Sequence, residues 1–344
     1  MITESQRLLA QLRFPCGDVP EPGDIKNVAP GIYWLRMPLP FQLNHINLWL
    51  VEEDERWTVV DTGIGNADTR SLWQKILTRE VKRVIVTHYH PDHAGNAAWL
   101  CQRYGVELWM TQGEYLTAHA VRSSTAGYTT DAVLSVFRKN GLDEQRASGM
   151  GGRGNRYAAL VPEFPLSYRR IIEGDQIEIG KHRWRAIVGH GHAPEHLSLY
   201  SESLNTLIAG DMLLSTISTN VSVWSIDPEG DPLRLFLDSI ARYRDLPADM
   251  LVLPSHGKPF RGAHQRVAQL EKHHEARFLD VLNSLKEGPK SAAELLGVLF
   301  RRPLDAHQTF FAMGEAIAHL HYLHYAGRAK RAQGDDGIMR YAAS

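Results

Sequence analysis

One short segment near residue 90 carries three histidines and one aspartate in the spacing H-x-H-x-D-H. The β-branched segment 81–87 before it predicts a strand, and segment 94–104 after it predicts a helix. At the junction of a strand and a helix, side chains in this spacing project toward nearly the same point. Imidazole nitrogens and carboxylate oxygens are the ligands that zinc and similar divalent ions prefer. The segment therefore predicts a metal site, with the candidate ligands His88, His90, Asp92 and His93.

Three further apolar segments also lead into residues that can bind a metal. They are His192 after segment 183–188, Asp211 at the end of segment 206–211, and His256 after segment 251–255. Each segment predicts a strand, and strands that all end in metal-binding residue types form a convergent set. The first cluster can fill one metal site by itself. A second ion would take its ligands from these other strand ends.

Strand and helix patterns alternate over most of the chain, which predicts an α/β protein. Strand patterns occupy residues 32–61 and return at residues 176–209, with helical patterns between and after them. We therefore predict one domain over residues 1–264, interrupted at residues 111–170 by an insertion with helical pieces and a glycine-rich stretch. Insertions of this length inside a domain commonly act as lids.

The remaining residues, 265–344, have a different pattern. It predicts a long helix at about 265–286, a helix at 291–300 capped by Ser291, a helix at about 307–325, and a hairpin around the turn 334–337. This is the order of a winged helix, so we predict a small C-terminal winged-helix-like domain. Three histidines of the last long helix are predicted to be surface or interface residues: His319, His321 and His324.

The composition narrows the class of protein further. With 344 residues, 43% of them hydrophobic and a formal net charge of −1, the chain has the composition of a globular protein of about two domains. No overall positive charge indicates nucleic acid or an anionic membrane as a partner. The two cysteines, Cys16 and Cys101, cannot form a disulfide framework, and the N-terminal segment lacks a signal pattern. These features predict a cytoplasmic protein without a membrane partner.

The chain resembles the metallo-β-lactamase superfamily over about residues 25–280. Five motif elements occur in the family's order: Asp61-Thr-Gly63, the His88 to His93 cluster, His192, Asp211 and His256. The resemblance implies an αββα sandwich whose metal site lies along the edges of two packed sheets. It also implies two divalent ions, with zinc expected and manganese or iron as alternatives.

The same resemblance implies a division of the ligands between the two ions. Residues matching His88, His90 and His192 hold the first ion, those matching Asp92, His93 and His256 hold the second, and the one matching Asp211 bridges them. The residue matching Asp61 holds a ligand in place without binding metal itself.

The pattern departs from that of glyoxalase II-like members at Glu195, where those proteins tend to have glycine. Whether Glu195 and His196 touch the site stays open at this stage. His190 lies two residues before His192 and could face the same way, although the resemblance favours His192. Many zinc β-lactamases have cysteine at the position of Asp211, so antibiotic hydrolysis is not favoured.

The function predicted from the resemblance is metal-dependent hydrolysis of a small-molecule ester, thioester or lactone. Two ions would share a hydroxide that attacks the carbonyl, and Asp92 would orient the hydroxide and shuttle its proton. The insertion at 111–170 is long enough to close over an organic substrate. Arg153 and Arg156 in that insertion are candidates for contacting an anionic group on it.

Two other functions stay open. The C-terminal pattern also resembles β-lactamase-like endoribonucleases that act on single-stranded RNA, but residues 288–344 hold seven Lys and Arg against five Asp and Glu. That surplus is small, so packing against the main domain or forming a homodimer is at least as well supported for this part of the chain. Mononuclear iron enzymes that oxidise persulfides share much of the first histidine cluster.

Overall fold

The computed structural model describes residues 10–151 and 155–344. The chain divides into two compact units. The first unit consists of residues 1–123, 156–219 and 240–267. The second unit consists of residues 124–155, 220–239 and 268–344.

The first unit contains a seven-stranded sheet in which the strands lie in their order along the chain. The strands are β1 (Ile25–Ala29), β2 (Ile32–Pro38), β3 (His45–Glu53), β4 (Arg56–Val60), β5 (Val81–Ile85), β6 (Leu108–Met110) and β7 (Arg169–Arg170). Strands β1 to β4 pair antiparallel, and β4 to β7 pair parallel. The parallel half places the ends of β4 and β5 side by side.

The first unit also contains a six-stranded sheet with the order β13-β12-β11-β10-β9-β8. Its strands are β8 (Gln176–Ile179), β9 (His182–Gly189), β10 (His196–Ser201), β11 (Thr206–Gly210), β12 (Leu251–Pro254) and β13 (Phe260–Arg261). Only β11 and β12 pair parallel in this sheet. Their carboxyl ends therefore point the same way.

Apolar side chains from both sheets form a common core in the first unit. Trp34 and Trp49 of the first sheet and Trp184 of the second are fully buried in it. Burying one large apolar side chain stabilises a fold by about 1.5–3 kcal/mol. The two sheets are thus held face to face largely by their inward-facing residues.

Helices cover the other face of the seven-stranded sheet. Among the described residues, the α-helices that lie wholly in the first unit are α1 (Ala67–Ile76), α2 (Pro91–Ala94), α3 (Ala97–Tyr104), α4 (Gln112–Arg122) and α7 (Arg156–Leu160). Trp73 of α1 and Leu100 of α3 are buried in a second apolar core against this sheet. Two packed sheets with helices confirm the predicted α/β fold of the metallo-β-lactamase type.

The second unit is mainly helical. Its elements are α5 (Thr130–Lys139), α6 (Glu144–Met150), α8 (Pro232–Ala241), most of α9 (Ala263–Leu285), α10 (Leu296–Leu299), α11 (Ala306–Tyr325), β14 (Ala329–Gln333) and β15 (Met339–Ala343). Helix α11 begins with a capping box in which Asp305 and Gln308 bind each other's backbone N–H groups. Strands β14 and β15 form an antiparallel hairpin.

Two sequence predictions for this part of the chain are wrong. The helix predicted at 291–300 shrinks to Leu296–Leu299, because the backbone N–H groups of Leu295 and Leu296 bond to carbonyls three residues back and form turns in place of a first helical turn. His319 and His321, predicted to be surface or interface residues, are buried within the second unit. Their ring Nδ1 atoms bond to the carbonyl oxygens of Glu315 and Gly230.

The order of helices followed by a hairpin is present, and the winged-helix assignment stays a prediction. The same holds for the domain boundary between residues 264 and 265. The segment 111–170 contains α4 to α7, and residues 124–155 of it belong to the second unit. Among the residues that the structure describes, no helix is both long and apolar enough to cross a membrane.

Candidate metal centre

The candidate ligands lie just beyond the carboxyl ends of strands in the first unit. Strand β5 leads into the loop that carries His88 and His90, and Pro91 then occupies the first turn of α2. Proline suits this position because its missing N–H has no partner within a helix anyway. Strands β9, β11 and β12 lead into His192, Asp211 and His256.

Four side chains form a first ligand group, and their ligand atoms lie within 4.8 Å of one another: His88, His90, His192 and Asp211. Nε2 of His88 lies 2.9 Å from Nδ1 of His90 and 3.2 Å from Nε2 of His192. Oδ2 of Asp211 lies 3.3 Å from Nε2 of His192. Neighbouring ligand atoms in a tetrahedral zinc site are about 3.3 Å apart, given its bond lengths. The spacing therefore matches the ligands of one ion.

Three side chains form a second ligand group beside the first: Asp92, His93 and His256. Oδ2 of Asp92 lies 3.8 Å from Nε2 of His93 and 3.5 Å from Nε2 of His256. Oδ1 of Asp211 lies 3.6 Å from Nε2 of His93 and 3.5 Å from Nε2 of His256. Asp211 thus turns one carboxylate oxygen toward each group.

Two atoms of this centre are buried without a hydrogen-bond partner, namely Nε2 of His93 and Oδ1 of Asp211. Buried polar atoms without partners cost free energy and are rare. A cation between the two atoms would satisfy both, so the residues fit divalent ions. The role of each of the seven residues as a ligand stays a prediction.

Asp61 orients His93 from behind. Its Oδ2 accepts a hydrogen bond from Nδ1 of His93 at 2.8 Å, and its Oδ1 accepts one from the backbone N–H of Thr87 at 2.8 Å. The backbone of Asp61 has a φ of 63°, a left-handed conformation that few residues other than glycine adopt. Strained residues of this kind cluster at functional sites. The contact leaves Nε2 of His93 facing the second ligand group.

His256 is oriented in a similar way by the strand beside it. Its Nδ1 donates to the backbone carbonyl of His45 at 2.8 Å, which leaves Nε2 for the second ligand group. The side chain of Asn47 donates to the carbonyls of Pro254 and Gly257, each at 2.9 Å. Strand β3 therefore fixes the loop that carries His256.

Burial and neighbouring charges set the protonation of the histidines. Burial and the neighbouring histidines lower the pKa of His88 well below its usual value and that of His90 to about 3. Both rings are therefore neutral, as metal binding requires. Burial lowers the pKa values of His93 and His256, but nearby carboxylates outweigh it and raise both above the usual value. An ion at the second group would have to displace these protons.

His196 supports the bridging residue without joining either ligand group. Its Nε2 accepts a hydrogen bond from the backbone N–H of Asp211 at 3.0 Å. Gly210 allows this approach, because a Cβ at that position would lie 2.4 Å from Cε1 of His196. Gly210 also has a φ of 54°. The structure therefore gives His196 a role in holding the backbone at Asp211.

The other residues singled out from the sequence lie elsewhere. Nδ1 of His190 bonds to the carbonyl of Pro194 at 2.7 Å, and His190 belongs to neither ligand group. The carboxylate of Glu195 accepts from the backbone N–H of Gly113 at 2.7 Å. Arg156 begins α7, and Arg153 lies outside the described residues.

Sequence reasoning missed three residues that support the centre: Glu114, Thr87 and His45. His45 acts through its carbonyl, which no sequence pattern distinguishes from any other, and through its ring, whose Nε2 accepts a hydrogen bond from the backbone N–H of Gly257 at 3.0 Å. Glu114 is fully buried, although an acidic residue in the first turn of a helix ordinarily indicates an exposed N-terminus. Its carboxylate accepts hydrogen bonds from the backbone N–H groups of Tyr89 and Glu195, contacts that only the folded chain reveals.

The chain belongs to the metallo-beta-lactamase superfamily. Residues 42–256 match the profile of the superfamily domain. Residues 278–344 match a profile described as the metallo-beta-lactamase-like C-terminal domain. The protein is therefore a hydrolase of the metallo-beta-lactamase family with a candidate metal-binding site.

Comparison with similar proteins supports this assignment. A beta-lactamase domain protein from Burkholderia ambifaria, known from a crystal structure, is 46% identical and has a TM-score of 0.92, over 98% of this chain and 100% of that one. The probable metallo-hydrolase YqjP of Bacillus subtilis (strain 168) is 25% identical over 302 residues, which are 84% of this chain and 91% of YqjP. The acyl-coenzyme A thioesterase MBLAC2 of Homo sapiens is 26% identical over 202 residues, which are 55% of this chain and 65% of that protein.

Proposed function

We propose that this protein uses two divalent ions, with zinc as the expected metal, to hydrolyse a small-molecule thioester, ester or lactone. The observation that carries the proposal is the pair of adjacent ligand groups that share Asp211, one oxygen toward each. A lone metal site would not need a carboxylate placed in this way. Adjacent ligand groups are typical of two-metal hydrolases.

The first ion would be held by His88, His90 and His192, and the second by Asp92, His93 and His256, with Asp211 shared. Bound ions would supply a water of lowered pKa and positive charge that polarises a carbonyl group. In the chain itself, Asp61 holds the ring of His93 and the carbonyl of His45 holds the ring of His256. The Nε2 atoms of both rings therefore stay directed into the centre. This fixed arrangement limits reorganisation during the reaction.

Asp92 is the proposed catalytic residue. Its side chain is more exposed than that of Asp211, at 19% against 11%. The Asp92 carboxylate can therefore contact both the second ligand group and a substrate that enters from solvent. Burial raises the pKa of Asp92, but His93 and His256 outweigh it and lower the pKa below its usual value. An ionised Asp92 can accept a hydrogen bond from the attacking water at a carboxylate oxygen and orient that water.

The substrate class is supported by similarity. MBLAC2 is named as an acyl-coenzyme A thioesterase, and we extend thioester cleavage to this chain as the first activity to test. An RNA substrate is less well supported by the charges of the second unit. Arg331 and Arg340 of the C-terminal hairpin form ion pairs with Glu229 and Asp336, each at 2.7 Å. Both guanidinium groups are therefore engaged within the protein.

The experiment is a substrate panel on metal-loaded protein, with acyl-CoA thioesters, lactones, nitrophenyl esters and single-stranded RNA. Asp211→Ala is the inactive control, and Asp231→Asn is the matched aspartate control, because Asp231 is also buried but pairs with Arg234 at 3.2 Å in the second unit. We expect turnover of at least one carbonyl substrate by the wild type and by Asp231→Asn, and none by Asp211→Ala. Metal analysis is expected to give two ions per chain.

Three results would overturn the proposal. RNA cleavage that Asp211→Ala abolishes, without any carbonyl turnover, would support the endoribonuclease alternative. A single iron with persulfide oxidation would support the mononuclear alternative. Activity that survives complete chelation would exclude a metal-dependent mechanism.

A further inference from the structure

A buried carboxylate outside both ligand groups joins two of the loops that carry the ligands. Glu114 lies in the first turn of α4 and is fully buried. Its Oε2 accepts a hydrogen bond from the backbone N–H of Tyr89 at 2.9 Å. Its Oε1 accepts one from the backbone N–H of Glu195 at 2.6 Å. Both carboxylate oxygens are thus bonded to loop backbone.

The two loops carry all the histidines of the first ligand group. Tyr89 stands between His88 and His90, and Glu195 follows His192 by three residues. The loops are about a hundred residues apart in the sequence and leave different sheets, since one follows β5 and the other follows β9. Glu114 connects them through one rigid carboxylate group.

The connection is reciprocal, because the second loop also holds the helix of Glu114. The carboxylate of Glu195 accepts from the backbone N–H of Gly113 at 2.7 Å, and the hydroxyl of Thr111 donates to the carbonyl of Glu195 at 2.7 Å. Thr111 precedes α4, but its side chain does not cap the helix. The carboxylate of Glu195 takes that role by accepting a hydrogen bond at the start of α4. A Cβ on Gly113 would lie 3.0 Å from Cγ of Glu195, so glycine suits this close approach.

A buried carboxylate costs free energy unless hydrogen bonds compensate it, so packing alone would favour an apolar side chain at this position. We propose that Glu114 is a positioning residue that sets the distance between the two histidine loops and so preorganises the first ligand group for its ion. This inference rests on the proposed metal site. Groups that orient metal ligands usually change metal affinity when they are altered.

The test compares two conservative substitutions of buried glutamates in the first unit. Glu114→Gln keeps the size of the side chain, but its amide group faces a backbone N–H and one hydrogen bond is lost. Glu53→Gln is the matched control, because Glu53 is also buried and its partners lie outside both loops: the hydroxyl of Thr58 at 2.6 Å and the side chains of Lys82 and Arg83. Both variants are expected to unfold at a lower urea concentration than the wild type.

Metal binding separates positioning from general stability. Zinc affinity is measured by competition with a chromogenic chelator, and the ligand geometry is followed by the visible absorption of the Co²⁺-substituted protein. We expect Glu114→Gln to bind the ion of the first ligand group about 10-fold to 100-fold less tightly, with an altered Co²⁺ spectrum. Glu53→Gln is expected to keep the wild-type affinity and spectrum.

The outcomes distinguish this inference from the proposed function. If the wild type itself binds no ion, the metal-dependent function fails and the inference fails with it. If the wild type binds two ions and Glu114→Gln binds both with unchanged affinity and spectrum, only the positioning role is overturned. Should Glu114→Gln not fold, Glu114→Asp keeps the carboxylate but shortens its reach, so it cannot hold the backbone N–H groups of Tyr89 and Glu195 together. An unchanged zinc affinity in that variant would also overturn the inference.

Discussion

The Asp61 carboxylate lies 2.8 Å from Nδ1 of His93, which is 32 positions later in the chain and belongs to α2. Asp61 directly follows β4, so a residue at the end of that strand orients the ring of a candidate ligand. The same carboxylate accepts from the backbone N–H of Thr87, which follows β5. One side chain therefore ties together the ends of two adjacent parallel strands. The position of His93 depends on the sheet as much as on its own helix.

Replacing Asp61 by Asn tests this connection. Asn tolerates left-handed backbone about as well as Asp, so the φ of 63° is no obstacle and mainly the carboxylate is lost. We expect zinc affinity to fall about 10-fold to 100-fold, because the amide cannot accept from both Thr87 and His93. Chelator competition measures the loss. Asp24→Asn, at an exposed ion pair with Lys75, is the control and should bind zinc as the wild type does.

Gly210 offers a test of the contact between His196 and the bridging residue. Gly210→Ala places a Cβ 2.4 Å from Cε1 of His196 and strains a backbone with a φ of 54°. Left-handed strain costs about 1–2 kcal/mol, and the clash adds about 1–3 kcal/mol. We expect a loss of unfolding free energy in urea and weaker zinc binding, since Asp211 follows directly.

Gly105→Ala is the matched control for that substitution. Gly105 has a φ of 64°, but a Cβ there would have nothing within 4 Å. This variant should show the backbone cost of about 1–2 kcal/mol alone, with unchanged zinc affinity. Equal losses of stability in the two variants, with equal zinc binding, would contradict a role for the Gly210 and His196 contact.

Much of the fold was predictable because its strands are short, apolar and separated by clear turns. Strand patterns are predicted over residues 176–209, where β8 to β11 occur, and the segment 206–211 that ends in Asp211 contains β11. The seven candidate ligands came from one compact motif and from strand ends, and the ends that lead into Asp211 and His256 lie side by side because β11 and β12 pair parallel. Sequence periodicity predicts strands of this kind, and the order of the motifs along the chain indicates which strand ends carry the ligands.

The parts that were not predictable depend on contacts between distant segments. Ser291 and Glu294 carry an ordinary helix-capping signal, but the residues after Ser291 form turns with bonds to carbonyls three residues back, and the helix begins only at Leu296. His319 has the polarity of a surface residue and is buried beside His274, with 3.4 Å between ring nitrogens. Glu114 likewise has a partner more than eighty positions away. Sequence periodicity carries no information on such pairs.

Removal of metal should destabilise the protein if the ions bind the folded state. Ligands that bind only the folded state add about 4 kcal/mol at a free concentration a thousand times the dissociation constant. We expect a chelator to lower the Tm of the wild type in differential scanning calorimetry. Asp211→Ala should show no such shift, because its two ligand groups lose their shared residue. A wild-type Tm that chelation leaves unchanged would contradict bound metal in this protein.

Glu315 of α11 predicts a pH dependence of stability in the second unit. Burial raises the pKa of Glu315 to about 7 from 4.5, although a hydrogen bond from Asn220 and the charge of Arg277 oppose the shift. The folded state therefore keeps a proton that the unfolded chain releases, and the stability from this group is lost as pH rises from 4.5 through about 7. The shift corresponds to about 3 kcal/mol.

Glu315→Gln removes this titration. Its unfolding free energy in urea, relative to the wild type, should rise by about 3 kcal/mol between pH 4.5 and pH 8. The buried His319 and His274, whose pKa values burial lowers to about 4 and about 2, destabilise both proteins as pH falls below 6.5 and cancel in the difference. Glu275→Gln, at an exposed ion pair with Arg328, is the control. A difference between Glu315→Gln and wild type that stays constant over this pH range would contradict the prediction, because a buried carboxyl that ionises only near neutral pH must make stability depend on pH.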